Sequence, residues 1–197
     1  MTITMVFITR LSVNMRKLLL LGIALLWTSW VQATAIEPTK ASVFPTEDGY
    51  ALSAQISIDL GARVEETVAH GVPLYFNLEL EISRPRKYWV DEHVLSHVLT
   101  YRLSYNALTQ QYRLATGGLR RNFDTLADAL RAMGKITALP VADQSAMQHG
   151  ATYDAALRLS LDRSQLPKPF QLDAIASRDW QIEAKTLRWQ VTGGEFK

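Results

Sequence analysis

The 197-residue chain contains no cysteine. That absence excludes disulfides, Cys-ligated iron–sulfur clusters, thiol nucleophiles and lipid attachment through a cysteine at a processing site. Stability must therefore come from a hydrophobic core. A domain near 150 residues can build one without staples, burying about 68–70% of its unfolded surface. Histidine is scarce, with four residues in all, and the zinc-protease pattern H-E-x-x-H is missing. So is the G-x-S-x-G nucleophile elbow. Gly117-Gly118 lacks the spacing of a phosphate-cradling loop. No repeat, low-complexity tract or cofactor motif is present, so no cofactor is expected.

A basic surface is lacking too. The whole chain has 21 Lys/Arg against 19 Asp/Glu, a net charge of +2. Three of those basic residues, Arg10, Arg16 and Lys17, lie in residues 1–35, which hold no acid. Without that segment eighteen basic residues face nineteen acidic ones, a net charge of −1. A nucleic-acid footprint needs a basic excess, so nucleic acid is not an expected partner.

The segment that carries the charge asymmetry reads as a leader. Arg16-Lys17 precede an apolar run from Leu18 to Trp27, followed by Ala33-Thr34-Ala35. A basic start, a short apolar core and an A-x-A site make a secretory signal peptide. Cleavage is expected after Ala35, with Ala33 as second choice, and Met15 is a candidate start. The rival reading is a retained anchor, but a spanning helix needs roughly 20 apolar residues. Here Thr28, Ser29 and Gln32 interrupt the run. The expectation is a periplasmic or secreted protein, with residues 36–197 forming one domain and membrane contact at most peripheral.

Residues 50–83 organise that domain. Tyr50, Leu52, Ala54, Ile56, Ile58 and Leu60 share one parity; Leu74, Phe76, Leu78, Leu80 and Ile82 share another. A period of two marks half-buried strands. Between them Val64 and Val68 lie one helical turn apart, with Gly71 at the capping position and Pro73 beyond. That linker suits a minimal parallel crossover or a helix closing one end of an antiparallel sandwich. Further strands are expected through His97–Leu99–Tyr101–Leu103–Tyr105, Tyr112–Leu114 and Tyr153–Ala155–Leu157–Leu159–Leu161. Asp124 or Thr125 caps a second helix bearing Leu126, Leu130 and Met133 and ending at Gly134. Residues 140–150 read as loop. Pro167 and Pro169 read as an extended piece. Residues 180–191 read as one or two final strands with a bulge. The fold expected is mainly β (α+β), an antiparallel β-sandwich-like single domain with two short helices.

Several of these pieces together resemble one family. They are the strand–helix–Gly71–strand block, Leu103-x-Tyr105-x-x-Leu108-x-x-x-Tyr112 and Phe123-x-x-Leu126-x-x-Ala129-Leu130. Leu161-Asp162-x-Ser164-x-Leu166-Pro167-Lys168-Pro169 and Trp180 complete the set. The chain resembles the family of exported bacterial proteins designated domain of unknown function 4390. The resemblance implies an exported single domain, supplies no catalytic residues, and hints at a role beside a membrane sensor kinase.

Chemistry-bearing residues remain to be weighed. His93 and His97, with Asp91 and Glu92 before them, would share a face on a strand or a helix, but no metal site is expected because tetrahedral zinc needs more converging ligands. Glu79 and Glu81 on one strand face could pair for acid–base work, or simply be solvated. Asp162 and Ser164 read as turn residues. The basic and aromatic stretch Arg84, Arg86, Lys87, Tyr88, Trp89 is the candidate binding site, for an anionic partner or a membrane interface. The plainer alternative is a solvated loop whose Trp89 tucks into the core. The expected function is a non-catalytic binding or interaction module, partnered by an envelope or inner-membrane protein. A carrier of an apolar ligand is the alternative, and an unrecognised hydrolase a third.

Overall fold

A computed structural model describes residues 36–182 and 185–194. The leader reading falls on residues 1–35 and so lies outside the described residues, as does part of the last expected strand. Two antiparallel sheets are formed. Strands β1 (Ile36–Thr46), β2 (Gly49–Ile58) and β7 (Lys135–Asp143) make the smaller, in the order β1-β2-β7. The larger has the order β6-β5-β4-β3-β8-β9. It joins β3 (Leu74–Arg84), β4 (Glu92–Asn106), β5 (Gln111–Thr116), β6 (Leu119–Phe123), β8 (Thr152–Leu161) and β9 (Leu187–Thr192). The expected mainly β, sandwich-like architecture is what forms: the apolar faces of both sheets enter one continuous core.

The alternation read in the sequence sets that core. Leu74, Phe76, Leu78, Leu80 and Ile82 are buried, as are Tyr50, Leu52, Ala54 and Ile56 opposite and Tyr153 to Leu161 beside them. Helix α1 (Ala62–Ala69) carries the chain from one sheet to the other, so the end-closing alternative holds and the parallel crossover does not. Its C-terminus follows the capping logic. Gly71 takes φ +89, and its N–H reaches the Val68 carbonyl at 2.8 Å.

Helix α2 (Leu126–Gly134) touches β2, β5, β6 and β7 and buries Ala129, Leu130 and Met133. It fills the width that a three-stranded sheet leaves uncovered against a six-stranded one. Thr125 caps it, its Oγ1 accepting from the Asp128 N–H at 3.1 Å. Gly134 ends the helix for a reason other than capping. A Cβ there would stand 2.1 Å from the Ile56 carbonyl oxygen, and the chain turns directly into β7.

Three local expectations are corrected. Residues 135–143 form β7, although Pro140 and the bulge at Ala138 (φ +46) obscure any alternation; an edge strand tolerates both. Pro167 and Pro169 start a third helix, α3 (Lys168–Ala176), which makes three where two were expected. Prolines fit the first turn, where no intrahelical N–H is needed. Trp180 belongs to a 3-10 turn (Arg178–Trp180) instead of a strand, and is buried there.

All four sheet edges carry residues that discourage strand addition: Pro38, Lys40 and Pro45 on β1, Pro140 on β7, Arg120 and Arg121 on β6, Arg188 on β9. Gly134→Ala is expected to cost 2 kcal/mol or more, about the lower figure for a forced core rearrangement. Gly118→Ala, with open space around it, should be near neutral. Urea unfolding midpoints of the two variants check the contrast.

Candidate functional site

The candidate residues fall at the tip of the β3–β4 hairpin. Pairing of β3 with β8 stops at Ser83–Asp154, while pairing with β4 continues to Arg84–Glu92. Residues 85–91 form the loop that joins the two strands beyond that last pair. Arg84 is half-buried and donates to Gln148 Oε1 at 3.3 Å. Arg86 pairs with Glu92 at 2.7 Å, and its backbone N–H donates to Asp91 Oδ1 at 3.3 Å. Lys87 is exposed and enters no ion pair among the described residues. Tyr88, Trp89 and Val90 are 90, 81 and 90% exposed. The alternative in which Trp89 tucks into the core is thereby overturned. The structure brings the four candidates into one tip, with two held at its base and the aromatic side chains directed to solvent.

Val90 and Asp91 also wall a cleft of about 600 Å³ over the outer face of β8 and β9, with Glu81, His93, Arg188 and Trp189. Trp189 Nε1 is buried without a hydrogen-bond partner among the described residues. A larger cleft, about 780 Å³, lies between β2 and α2, with Ile56, Ile58, Leu126 and Leu130 on its floor and Asp59, Glu65, Arg131 and Lys135 around them.

The other candidates disperse. A register shift between Ile82 and Ser83 inserts one residue in β4, so His93 pairs with Ser83 and His97 with Leu80. Those partners point to opposite faces, and the two histidines do not converge as even spacing predicts. No group of three or more metal-ligating side chains is placed to hold an ion among the described residues. Arg158 donates twice to Glu79 Oε2, from Nη2 at 2.6 Å and from Nε at 3.2 Å, on the outer sheet face. Glu81 lies 4.0 Å from His93. The two carboxylates are separately committed.

Asp162 and Asp173 form a second polar centre, around the segment most specific to the resemblance. Asp162 Oδ1 accepts from Ser164 N–H at 3.0 Å and Ser164 Oγ at 2.5 Å; Oδ2 accepts from Gln165 at 3.0 Å. Asn77 completes the set at 3.5 Å. Asp173 receives Arg63 of α1 at 2.7 Å and the indole N–H of Trp180 at 2.9 Å. Hydrogen bonds, from Ser164 foremost and then Gln165, hold the Asp162 carboxyl below the usual carboxylate range. Bonds from Arg63 and then Trp180 do the same for Asp173. These carboxylates accept from the fold's own donors, which ties α1, α3 and the last turn to the sheet. They are structural.

Among the described residues no helix is long and apolar enough to cross a membrane. A family model described as Domain of unknown function (DUF4390) matches residues 33–190. No curated protein and no solved structure matches the chain.

The depressed carboxylates give a signed pH dependence. Their stabilisation is complete above the unfolded value of about 3.9 and is lost as pH falls through the lower folded value. Asp162→Asn should cost about 1 kcal/mol near neutrality, a low figure because the group is partly in water. The difference from wild type should shrink as pH falls below the unfolded value and through the lower folded one. Urea titrations near neutrality and in acid check it, and a gap unchanged by acid would show that the ionised carboxylate is not what stabilises.

Proposed function

The chain belongs to the DUF4390 family, and we propose that it is an exported, non-catalytic binding module of the cell envelope, acting through the β3–β4 tip. The observation that carries this is the run of three exposed apolar side chains, Tyr88, Trp89 and Val90, at that tip. A turn is normally built from Gly, Asn, Asp, Pro or Ser, which supply the needed backbone conformations or local hydrogen bonds. Aromatic rings add nothing to the turn and suit a contact surface. The guarded sheet edges argue against partner binding by strand addition.

Export rests on the Arg16-Lys17 start, the apolar run and the Ala33-Thr34-Ala35 site. It gives a periplasmic or secreted protein, working beside an envelope or inner-membrane component such as a sensor. A hydrolase finds little support: Ser164 donates to Asp162, and Glu79 is occupied by Arg158. The apolar-carrier reading is favoured by one feature, the cleft between β2 and α2 with its apolar floor.

N-terminal sequencing of the protein recovered from cells should begin at Ile36 or Thr34, and an intact leader would refute processing. A photo-crosslinking side chain at Tyr88 should give a discrete adduct in the envelope. Arg84→Ala/Arg86→Ala/Trp89→Ala should abolish it, whereas Ala127→Trp, which fills the second cleft, should not. Adducts unchanged in the triple variant would sink the tip as the contact surface.

A further inference from the structure

Resting on the reading of the β3–β4 tip as the contact surface, we propose that its partner is an anionic phospholipid surface, into which Tyr88, Trp89 and Val90 insert. The tip is the loop beyond the last β3–β4 pair, Arg84–Glu92, and its Tyr88, Trp89 and Val90 side chains stand in solvent. It is braced from below by the Arg86–Glu92 pair and the Arg84–Gln148 hydrogen bond. Asp91 is turned back onto the Arg86 backbone. Tyr88, Trp89 and Val90 project with Lys87 beside them, and the Arg86, Asp91 and Glu92 contacts lie at the base. Soluble surface loops have the opposite arrangement.

The residue types match a bilayer interface. Tyr and Trp settle at headgroup level, with the ring among the upper acyl carbons and the O–H or N–H in the hydrated layer. Three successive residues in a bent loop, each more than four-fifths exposed, fit a fluid surface that needs no matching pocket. Charge selects the lipid. Arg84, Arg86 and Lys87 face Asp91 and Glu92, a net charge of +1; Arg86 pairs with Glu92, and Lys87, beside the rings, enters no ion pair among the described residues. Unpaired cations next to inserted aromatics favour anionic headgroups.

Contact is confined to the tip. The β1–β2 turn carries Glu47 and Asp48 at the same end of the sandwich, where Gln144 holds the Glu47 carbonyl and Gln148 holds Arg84. Those acids would be repelled if that end lay flat on anionic lipid. Docking is thus peripheral, salt-sensitive and reversible.

The test uses the full chain with vesicles of phosphatidylethanolamine and phosphatidylglycerol carrying brominated acyl chains, read by tryptophan fluorescence. Trp180 is 1% exposed and out of reach of lipid. Any signal from Trp27, Trp30 and Trp189 is common to all variants, so the wild-type minus Trp89→Ala difference reports the tip. That difference should show quenching, and Lys87→Glu should weaken apparent affinity roughly tenfold. Equal Trp89 quenching on phosphatidylcholine vesicles, unaffected by Lys87→Glu, would overturn the anionic assignment. Absence of Trp89-dependent quenching on every vesicle would overturn the lipid partner. In that event a discrete protein adduct from Tyr88 leaves the binding-module reading standing with a protein partner, and loss of both signals removes both.

Discussion

Leu74, Phe76, Leu78, Leu80 and Ile82 of β3 are no more than 1% exposed, and their burial sets the terms for the other elements. At about 1.5–3 kcal/mol for each side chain, one strand face supplies on the order of 10 kcal/mol before conformational entropy is charged against it. That is comparable to the whole net stability of a domain. A slip of one residue would turn Tyr75, Asn77, Glu79, Glu81 and Ser83 inward. The register with β4 and β8 is therefore fixed, and the Glu79–Arg158 pair on the outer face lies where that register puts it. Covering so wide a buried face takes more than the three strands of the second sheet. Helix α2 completes the cover, and Gly134 permits its close approach to Ile56.

The two ends of the larger sheet are finished in opposite ways. At one, Asp162 and Asp173 gather donors from α1, β3, the 163–165 turn and Trp180, so each polar group is spent on the fold. At the other, the polar groups of the hairpin bind one another at its base and leave aromatic side chains outermost. A polar centre bonded within the fold holds structure. An exposed apolar tip forgoes burial, and that free energy is recovered only against something else.

Much of this was legible from periodicity. Strands β2, β3, β4 and β8 have one wet face and one dry face, and period two follows directly. The same signal is weak where an element lies at an edge or is interrupted. β7 holds Pro140 and a left-handed Ala138, and β6 is too short and too exposed for a pattern. In α3 the prolines that suggested extended chain occupy the one helical turn that accepts them. His93 and His97 were separated by a bulge that only pairing with β3 reveals. The candidate tip was visible as composition but not as direction. A loop aromatic can tuck or project, and which it does is set by what packs beside the loop, a long-range property.

Burial elsewhere in the chain bears on what the tip is for. Trp180 is buried with its indole N–H satisfied, and Trp189 is half-buried against the core. The fold is thus able to absorb tryptophan. Leaving Trp89 in water forgoes roughly 2–3 kcal/mol that burial of a large aromatic would have supplied. Leu108 and Leu119 are also exposed, but singly, as surface leucines commonly are. Leu172 and Ile175 make only a small patch on α3. Tyr88, Trp89 and Val90 differ in being contiguous, partly aromatic and flanked by an unpaired lysine. Neither the turn nor the core requires those residues, so the constraint that explains them lies outside the chain, in a surface with room for rings and an attraction for positive charge.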